Sequence, residues 1–219
     1  MGELLKTTVC VPCYGPHFQH IEELIDAYEK QTVPPDELVI SLSESRLCSV
    51  PKKYDTVFPV KVICSEERRF PGENRNVAAE HSSGDILIFN DADDLPCRGR
   101  VEIIRHVFAT RPNAWGVVHD WVGSIDAAEF FEQSNTITVE KFSVRPWVKG
   151  QGGYANGPVS IRRSVIDHVR WSGMRRAQDV EFFRQLYYFC RASEKYIAYI
   201  VDPIYLYRKS LSSERRAES

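Results

Sequence analysis

The sequence has 219 residues and a mass of 25.2 kDa, which suits one large α/β domain or two small ones. Its 28 basic and 30 acidic side chains leave a net charge of −2, so it lacks the basic excess of a nucleic-acid-binding protein. Hydrophobic residues make up 43% of the chain, which is enough for a core and excludes wholesale disorder.

No apolar run approaches the roughly 18 residues that a membrane-spanning helix requires, so we expect no transmembrane segment. Polar Thr7 and Thr8 follow the first residues, which argues against a secretory signal peptide. In that setting the six cysteines are expected to be reduced thiols. Together these features predict a cytoplasmic enzyme.

Predicted strands and helices alternate along the first 120 residues. The apolar pattern predicts helices over 20–30, 72–82 and 101–110, and strands over 7–12, 38–42, 57–64, 85–90 and 115–121. This alternation is typical of parallel sheets with right-handed crossovers. We therefore predict an α/β fold with a mostly parallel central sheet flanked by helices.

The second half of the chain is less regular. The pattern predicts a helix over 178–190, a loop over 149–153, a polar tail over 210–219 and strands over 136–144, 159–162 and 196–201. No linker or charge shift marks a second domain. We therefore predict one domain over 1–209, with a division near residue 120.

Three carboxylates, Asp91, Asp93 and Asp94, directly follow the predicted strand 85–90. They would repel one another unless a cation lay between them. Carboxylate oxygens suit Mg²⁺ or Mn²⁺, and a site with few protein ligands leaves room for substrate phosphates. The alternative is a helix-entry turn in which a single Asp caps the next helix.

A basic stretch, 68–78, leads into the predicted helix that begins at Gly72. Arginine side chains and free helix amides at such a start could hold an anionic diphosphate. Taken alone, the stretch fits a solvated basic loop better.

Several motifs occur in one order along the chain, at 11–14, 71–76, 88–94, 156–163 and 176–186. In this order and spacing they resemble the nucleotide-sugar glycosyltransferases of family 2, which have a GT-A fold. The resemblance extends over residues 7–208. It implies a single GT-A, Rossmann-like domain in which 1–120 binds the nucleotide sugar and 121–209 binds the acceptor.

The resemblance also implies an activity: metal-dependent transfer of a sugar from a nucleotide diphosphate sugar, a UDP-sugar, to a glycan or glycoconjugate acceptor with inversion. Asp93 and Asp91 would hold Mn²⁺ or Mg²⁺, and Asp179 would be the general base. Contacts to the nucleotide sugar are implied for Pro12, Tyr14, Glu44, Gly72, Arg75, Asn76, Asp91 and Ala92.

Two departures from the family pattern alter these expectations. After the second strand the chain has Glu44 between two serines, where the family often has Asp-Asp-Gly-Ser, so Glu44 is expected to take the contact to the base. Near the C-terminus Tyr207-Arg208 is followed by Lys209 and Ser210, without the His that often completes the metal site. The metal is therefore expected to rely on Asp93, the diphosphate and water.

Other interpretations remain open for several of these residues. Asp179 could cap the following helix, with Glu181 as the nearest alternative acid. Cys10 and Cys13 could form a redox pair, although the preceding sequence is short for such a fold. His17 and His20 are expected to be solvent-exposed. Three tryptophans could stack on sugars or pack in the core, namely Trp121, Trp147 and Trp171.

Two other functions compete with glycosyl transfer. A nucleotidyltransferase also combines carboxylates, a metal and a nucleotide, but a Gly-rich basic loop would be expected after the first strand. A sugar-nucleotide-binding module without catalysis would not need Asp91, Asp93 and Asp179 together.

Overall fold

The structure is a computed structural model and describes residues 4–45, 53–123, 126–132, 138–141 and 159–208. The strands are β1 (Thr7–Tyr14), β2 (Glu37–Ser43), β3 (Val60–Cys64), β4 (Ile86–Phe89), β5 (Leu95–Pro96), β6 (Ala114–Val122), β7 (Val139–Lys141), β8 (Val159–Arg162) and β9 (Tyr196–Leu206). The α-helices are α1 (Ile21–Glu29), α2 (Pro71–Glu80), α3 (Arg100–Thr110), α4 (Ala127–Phe131) and α5 (Gln178–Ala192). Short 3₁₀ helices cover Gly15–His20 and Arg163–Val165.

All nine strands belong to one sheet, in the order β3-β2-β1-β4-β8-β6-β9-β5, with β7 also paired to β9. The predicted α/β fold with a central sheet is therefore confirmed. Strands β3, β2, β1 and β4 are parallel, as are β6 and β9. However, β8 runs antiparallel to β4 and β6, and β5 and β7 run antiparallel to β9. Parallel pairing dominates only in the first half, because β8 enters between β4 and β6.

The last strand, β9, is longer than predicted. The predicted strand covered 196–201 and stopped before Asp202-Pro203, and a proline cannot donate to a sheet ladder. The pairing with β6 instead shifts there, from His119 opposite Ile200 to Asp120 opposite Pro203. Such a bulge accommodates a proline inside a strand, so β9 continues to Leu206.

Both faces of the sheet are covered by core side chains. Along β1, Val9 and Val11 point into one apolar cluster, with α1 and α3, whereas Cys10 points into the other, with α2 and α5. A strand that is buried on both faces reads as a continuous apolar run, which explains the clear sequence signal of the parallel strands. The polar residues that follow β1, β2 and β4 are therefore brought to one edge of the sheet.

The cysteines of the described part are not joined in disulfides, in line with the predicted reduced thiols. Burial raises the pKa of both Cys10 and Cys13, whereas a reactive redox cysteine needs a lowered pKa. Their environment therefore argues against the redox interpretation. Cys48 lies outside the described residues.

None of the helices within the described ranges is long and apolar enough to span a bilayer. Some predicted segments lie outside those ranges, namely the loop 149–153, the tail 210–219 and most of the strand 136–144. Within 136–144, the described residues form β7. The division of the chain near residue 120 stays a prediction.

Candidate functional site

Asp91 to Asp94, which follow β4 and Asn90, form a turn that we call the acid turn. Asn90 is fully buried beside it and donates from its side-chain nitrogen to the backbone oxygens of Asp91 (2.8 Å) and Asp94 (3.0 Å). The Asn90 side-chain oxygen accepts from the Tyr28 hydroxyl (2.8 Å) and from the Arg100 guanidinium. This buried network fixes the acid turn beyond the carboxyl end of β4.

Asp94 is the carboxylate of the acid turn that faces the interior. Its Oδ2 accepts from the Tyr205 hydroxyl at 2.8 Å, and its Oδ1 accepts from the backbone N–H of Arg208 at 2.9 Å. Burial, followed by the charges of Asp91 and Asp93, raises the pKa of the Asp94 carboxyl well above its usual range. Because its two oxygens are hydrogen-bonded to Tyr205 near the end of β9 and to Arg208 two residues beyond it, Asp94 anchors the turn.

Asp93 is the predicted metal ligand, and its side chain is only 2% exposed. His17 Nδ1 lies 3.8 Å from Asp93 Oδ2, and the His17 side chain is 12% exposed. The Arg208 guanidinium donates to the Asp93 backbone oxygen. The prediction that His17 is a solvent-exposed surface residue is therefore wrong. The sequence around His17 could not reveal its acidic partner, because Asp93 lies far away in the chain.

Asp91 forms a short ion pair with Arg75 of α2. The Arg75 side chain is 1% exposed, and its guanidinium carbon lies 4.6 Å from the centroid of the Trp171 ring. Only Nη2 of the guanidinium reaches Asp91. The Nε and Nη1 atoms are buried, and the described residues offer them no hydrogen-bond acceptor.

Asn74 joins the ends of β1 and β2. Its side-chain nitrogen donates to the Cys13 backbone oxygen (3.2 Å) and the Ser43 hydroxyl (2.9 Å), and its oxygen accepts from the Ser41 hydroxyl (2.9 Å). The predicted helix start thereby lies against the two strand ends from which the nucleotide contacts were expected. We did not single out Asn74 in the sequence.

Four predicted nucleotide-sugar contacts lie around these strand ends. Pro12 is buried in β1, and half-buried Tyr14 ends that strand. Glu44 is exposed after β2, has a left-handed φ of 53°, and lies 3.6 Å from Arg68. Ala92, the second residue of the acid turn, is buried in the core. Their contacts to a nucleotide sugar stay predictions.

The other predicted contacts on α2, Gly72 and Asn76, pack against the loop before α5. A Cβ on Gly72 would overlap the Ser172 backbone oxygen and the Gln178 side-chain oxygen, so only glycine permits this approach. The Asn76 amide donates to the Trp171 backbone oxygen (2.9 Å) and accepts from its backbone N–H (3.1 Å). Both residues therefore join the predicted half 1–120 to the predicted half 121–209. Their contacts to a nucleotide sugar stay predictions.

Several polar atoms around this junction are buried but have no hydrogen-bond partner among the described residues. Besides Nε and Nη1 of Arg75, they are Trp171 Nε1, Ser172 Oγ and Gln178 Oε1. An unpaired buried polar atom costs about 1–3 kcal/mol, so several such atoms close together call for a functional explanation. The cluster combines donors and acceptors around the α2 residues Gly72 and Arg75, and Arg75 itself pairs with Asp91, as a binding site for a polar anionic ligand would.

Asp179, the predicted base, is the second residue of α5 and is partly exposed. The helix begins at Gln178 after Ala177, whose φ is 58°, and the described residues show no capping hydrogen bond from a side chain. The alternative in which Asp179 caps a helix beginning at Val180 is therefore wrong. Because Gln178 touches Gly72, this carboxylate stands where α5 meets α2.

Glu181, the alternative acid, has a different environment. Its carboxylate accepts from the Arg184 side chain at 2.9 and 3.0 Å, and this hydrogen bonding lowers the Glu181 pKa. A carboxylate held ionised by a neighbouring arginine is a poor proton acceptor.

The tryptophans divide between core and surface. Trp171 is buried and stacked on Phe182, with ring centroids 3.9 Å apart and planes at 5°, which confirms the core interpretation. Trp121 is partly exposed and packs edge-on against Tyr207 at 5.3 Å. Trp147 lies outside the described residues.

The donor set at the acid turn fits a particular kind of metal site. Within the described ranges, no group of three or more His, Cys, Asp or Glu side chains is arranged to hold an ion. Mg²⁺ and similar ions commonly use one or two protein carboxylates and complete their shell with substrate phosphates and water. Asp93 and Asp91 could serve in that way, and metal binding stays a prediction.

Sequence and structure comparisons bear on the family. The family model described as "Glycosyl transferase family 2" matches residues 8–169, more than half of the chain. An uncharacterized glycosyltransferase of Haemophilus influenzae is 32% identical over 114 residues, covering 51% of this chain and 37% of that protein. The poly(ribitol-phosphate) beta-N-acetylglucosaminyltransferase TarS of Staphylococcus aureus is 31% identical over 96 residues, covering 42% and 17%.

Solved structures bear on the fold. The crystal structure of S. aureus TarS 1–349 superposes with a TM-score of 0.66 at 18% identity, covering 93% of this chain and 60% of that one. The same fragment with UDP-GlcNAc gives a TM-score of 0.60 at 14% identity, covering 93% and 58%. This chain thus spans well under two thirds of each of these relatives. Family match and fold agree with the predicted resemblance: the chain belongs to glycosyl transferase family 2 and has a GT-A fold.

Proposed function

We propose that this chain transfers a sugar from a UDP-sugar to a hydroxyl of a glycan or glycoconjugate, with inversion and with Mn²⁺ or Mg²⁺. The observation that carries the proposal is the cluster of unpartnered buried polar atoms beside the acid turn. Its arginine already neutralises Asp91, and its two remaining guanidinium nitrogens offer hydrogen bonds to an anion. A diphosphate sugar supplies both an anion and hydroxyl groups for such atoms.

Asp93 and Asp91 would hold the divalent ion. When bound, such an ion stabilises the negative charge that develops on the departing diphosphate. Arg75 stabilises the same charge from the protein side and orients Asp91 through their ion pair. Asn90, Tyr205 and Arg208 hold the backbone of the acid turn in place, so the carboxylates are already gathered at one position before the donor binds.

Asp179 would act on the acceptor. In an inverting transfer, the acceptor hydroxyl oxygen bonds to the anomeric carbon as the bond from that carbon to the diphosphate oxygen breaks. Asp179 takes the hydroxyl proton, and UDP leaves with the bonding electrons. Asp179 lies in the first turn of α5, and a helix N-terminus interacts favourably with a negatively charged side chain.

The choice of UDP rests on comparison. TarS has been solved with UDP and with UDP-GlcNAc, which supports a UDP-sugar donor for this chain. The acceptor of TarS is named as poly(ribitol phosphate), but only a general glycan or glycoconjugate acceptor is proposed here. The cytoplasmic location also stays a prediction.

Calorimetric titration with UDP in the presence of Mn²⁺ tests the donor site. We expect saturable binding by the wild-type chain and loss of the Mn²⁺-dependent part in Asp93→Ala. The exposed Asp167→Ala is the matched control and should bind as the wild type does. Unchanged affinity in Asp93→Ala would contradict the assignment of the metal site.

Product analysis tests the reaction. A panel of UDP-sugars, followed by NMR of the released or transferred sugar, should show a product of inverted anomeric configuration. Binding without hydrolysis or transfer of any donor would favour the catalytically inactive module. Retained configuration would reject the role of Asp179 as the base of an inverting transfer.

A further inference from the structure

The fold places His17 against the acid turn. His17 belongs to the 3₁₀ helix Gly15–His20, which directly follows β1, and β1 pairs in parallel with β4 through Cys10 and Phe89. The segments that follow these two strands therefore leave the same edge of the sheet side by side. As a result the His17 ring lies close to Asp93, 76 residues away in the sequence.

The separation of the two side chains is informative. At 3.8 Å, His17 Nδ1 and Asp93 Oδ2 are too far apart for a direct hydrogen bond. Two adjacent ligands of an octahedral ion, at bond lengths of 2.0–2.1 Å, lie about 3 Å from each other. A shift of less than about 1 Å would therefore let both atoms bind one ion.

The other carboxylates of the acid turn are already engaged. Both oxygens of Asp94 accept hydrogen bonds, from Tyr205 and Arg208, and one oxygen of Asp91 is paired with Arg75. Asp93 is the carboxylate that the fold turns toward an imidazole, and its neighbour His17 is largely shielded from water. Imidazole and carboxylate together form a donor set suited to a transition metal.

We propose that His17 Nδ1 and Asp93 jointly coordinate the divalent ion, in a site selective for Mn²⁺ over Mg²⁺. This inference rests on the metal dependence in the proposed function. His17, near the start of the chain, would then supply the imidazole ligand that the sequence after β9 lacks. The selectivity follows because Mg²⁺ prefers a near-ideal octahedron of oxygen ligands, whereas Mn²⁺, although it also favours oxygen, is a first-row transition ion that tolerates a nitrogen donor better.

Pulsed EPR of the complex of the chain with UDP and Mn²⁺ tests the coordination directly. In the wild type we expect modulation from a directly bound ¹⁴N nucleus, which changes to the ¹⁵N pattern when histidine is labelled with ¹⁵N. The modulation should vanish in His17→Ala, with at least about tenfold weaker Mn²⁺ binding, since even loss of an outer partner commonly costs that much. The matched control is His20→Ala, whose ring is one turn away, and it should keep the signal.

A second variant guards against misfolding of His17→Ala. His17→Asp replaces the nitrogen ligand with oxygen, so it should bind Mn²⁺ without ¹⁴N modulation and should lose most of the preference for Mn²⁺ over Mg²⁺. Mn²⁺ that binds with UDP but shows no ¹⁴N coupling in the wild type would overturn the role of His17 and leave the metal dependence standing. Failure of UDP to recruit Mn²⁺ at all would overturn both.

Discussion

The Tyr205 hydroxyl donates a 2.8 Å hydrogen bond to the Asp94 carboxylate across 111 residues of sequence. The same hydroxyl accepts from the Asp91 backbone N–H at 3.2 Å. One phenol group at the end of β9 thus bonds to both ends of the acid turn. The turn that carries the proposed metal ligand depends on β9 as much as on β4.

Tyr205→Phe should destabilise the protein. Removal of the hydroxyl leaves one oxygen of the buried Asp94 carboxylate without its donor, which typically costs about 1–3 kcal/mol. Urea unfolding should show a lower midpoint with an unchanged slope. Tyr188→Phe, on the exposed side of α5, is the control and should unfold like the wild type. Equal midpoints for both variants would show that the Asp94 contact adds nothing to stability.

Asp179→Asn separates catalysis from folding. Asparagine retains the shape but cannot take a proton at neutral pH, and loss of a general base typically slows a reaction by ~10²–10⁴-fold. Because Asp179 makes no capping hydrogen bond with the described residues, the melting temperature should barely change. Glu181→Gln, two residues further along the same helix turn, should retain activity within a few-fold. Wild-type turnover in Asp179→Asn would reject the proposed base.

Asn76→Ala should weaken the contact between α2 and the loop before α5. The variant loses both hydrogen bonds to the Trp171 backbone, at ~1 kcal/mol each. We expect a loss of about 2 kcal/mol in the free energy of unfolding. The control is Asn113→Ala. Asn113 is exposed, and its side-chain oxygen accepts a hydrogen bond from the Lys195 side chain at 2.8 Å. If the two variants were equally stable, the Asn76 amide would not be a structural link.

Glu37→Gln should alter the pH dependence of stability. Burial raises the pKa of Glu37, but hydrogen bonds from Lys61, Thr8 and Ser83 outweigh it and lower the pKa to about 2. The folded state therefore binds this proton less readily than the unfolded state, where a glutamate pKa is about 4.3. Its contribution, at most about 3 kcal/mol, is complete above that pKa and is lost as the pH falls toward 2.

Urea unfolding between pH 2 and 7 measures this effect. The wild type should lose more stability than Glu37→Gln as the pH falls from about 5 to 2. Parallel curves for the two proteins would show that Glu37 has the same pKa in the folded and unfolded states. Glu66→Gln, at an exposed position before α2, is a suitable control for the loss of one negative charge.

The sequence predicted the parallel half of the fold well because burial and patterning agree there. Buried strands such as β4 are unbroken apolar runs, and the acidic residues that follow are conspicuous. The antiparallel insertion of β8 was not predicted, since its four residues could pair with several partners. Strand β5 has only two residues and gives no periodic signal.

The site was harder to predict where it depends on distant partners. Asp91 and Arg75 were chosen through family motifs, and the structure pairs them. His17 was misjudged because the neighbouring sequence offers it no acidic companion. Asn74 was passed over in favour of Asn76, although both lie in one helix turn, because the sequence does not reveal which amide faces the strand ends.

The contacts of the acid turn with the end of β9 impose an order on biosynthesis. Asp94 leaves the ribosome 114 residues before Arg208, which corresponds to roughly 6–23 s of translation. During that interval the acid turn lacks the Tyr205 phenol and the Arg208 guanidinium and backbone N–H that later hold it. Strand β6 also waits for its parallel neighbour β9. A nascent chain can thus assemble β1 to β4 early, but it gains a donor-binding turn only when β9 and Arg208 emerge.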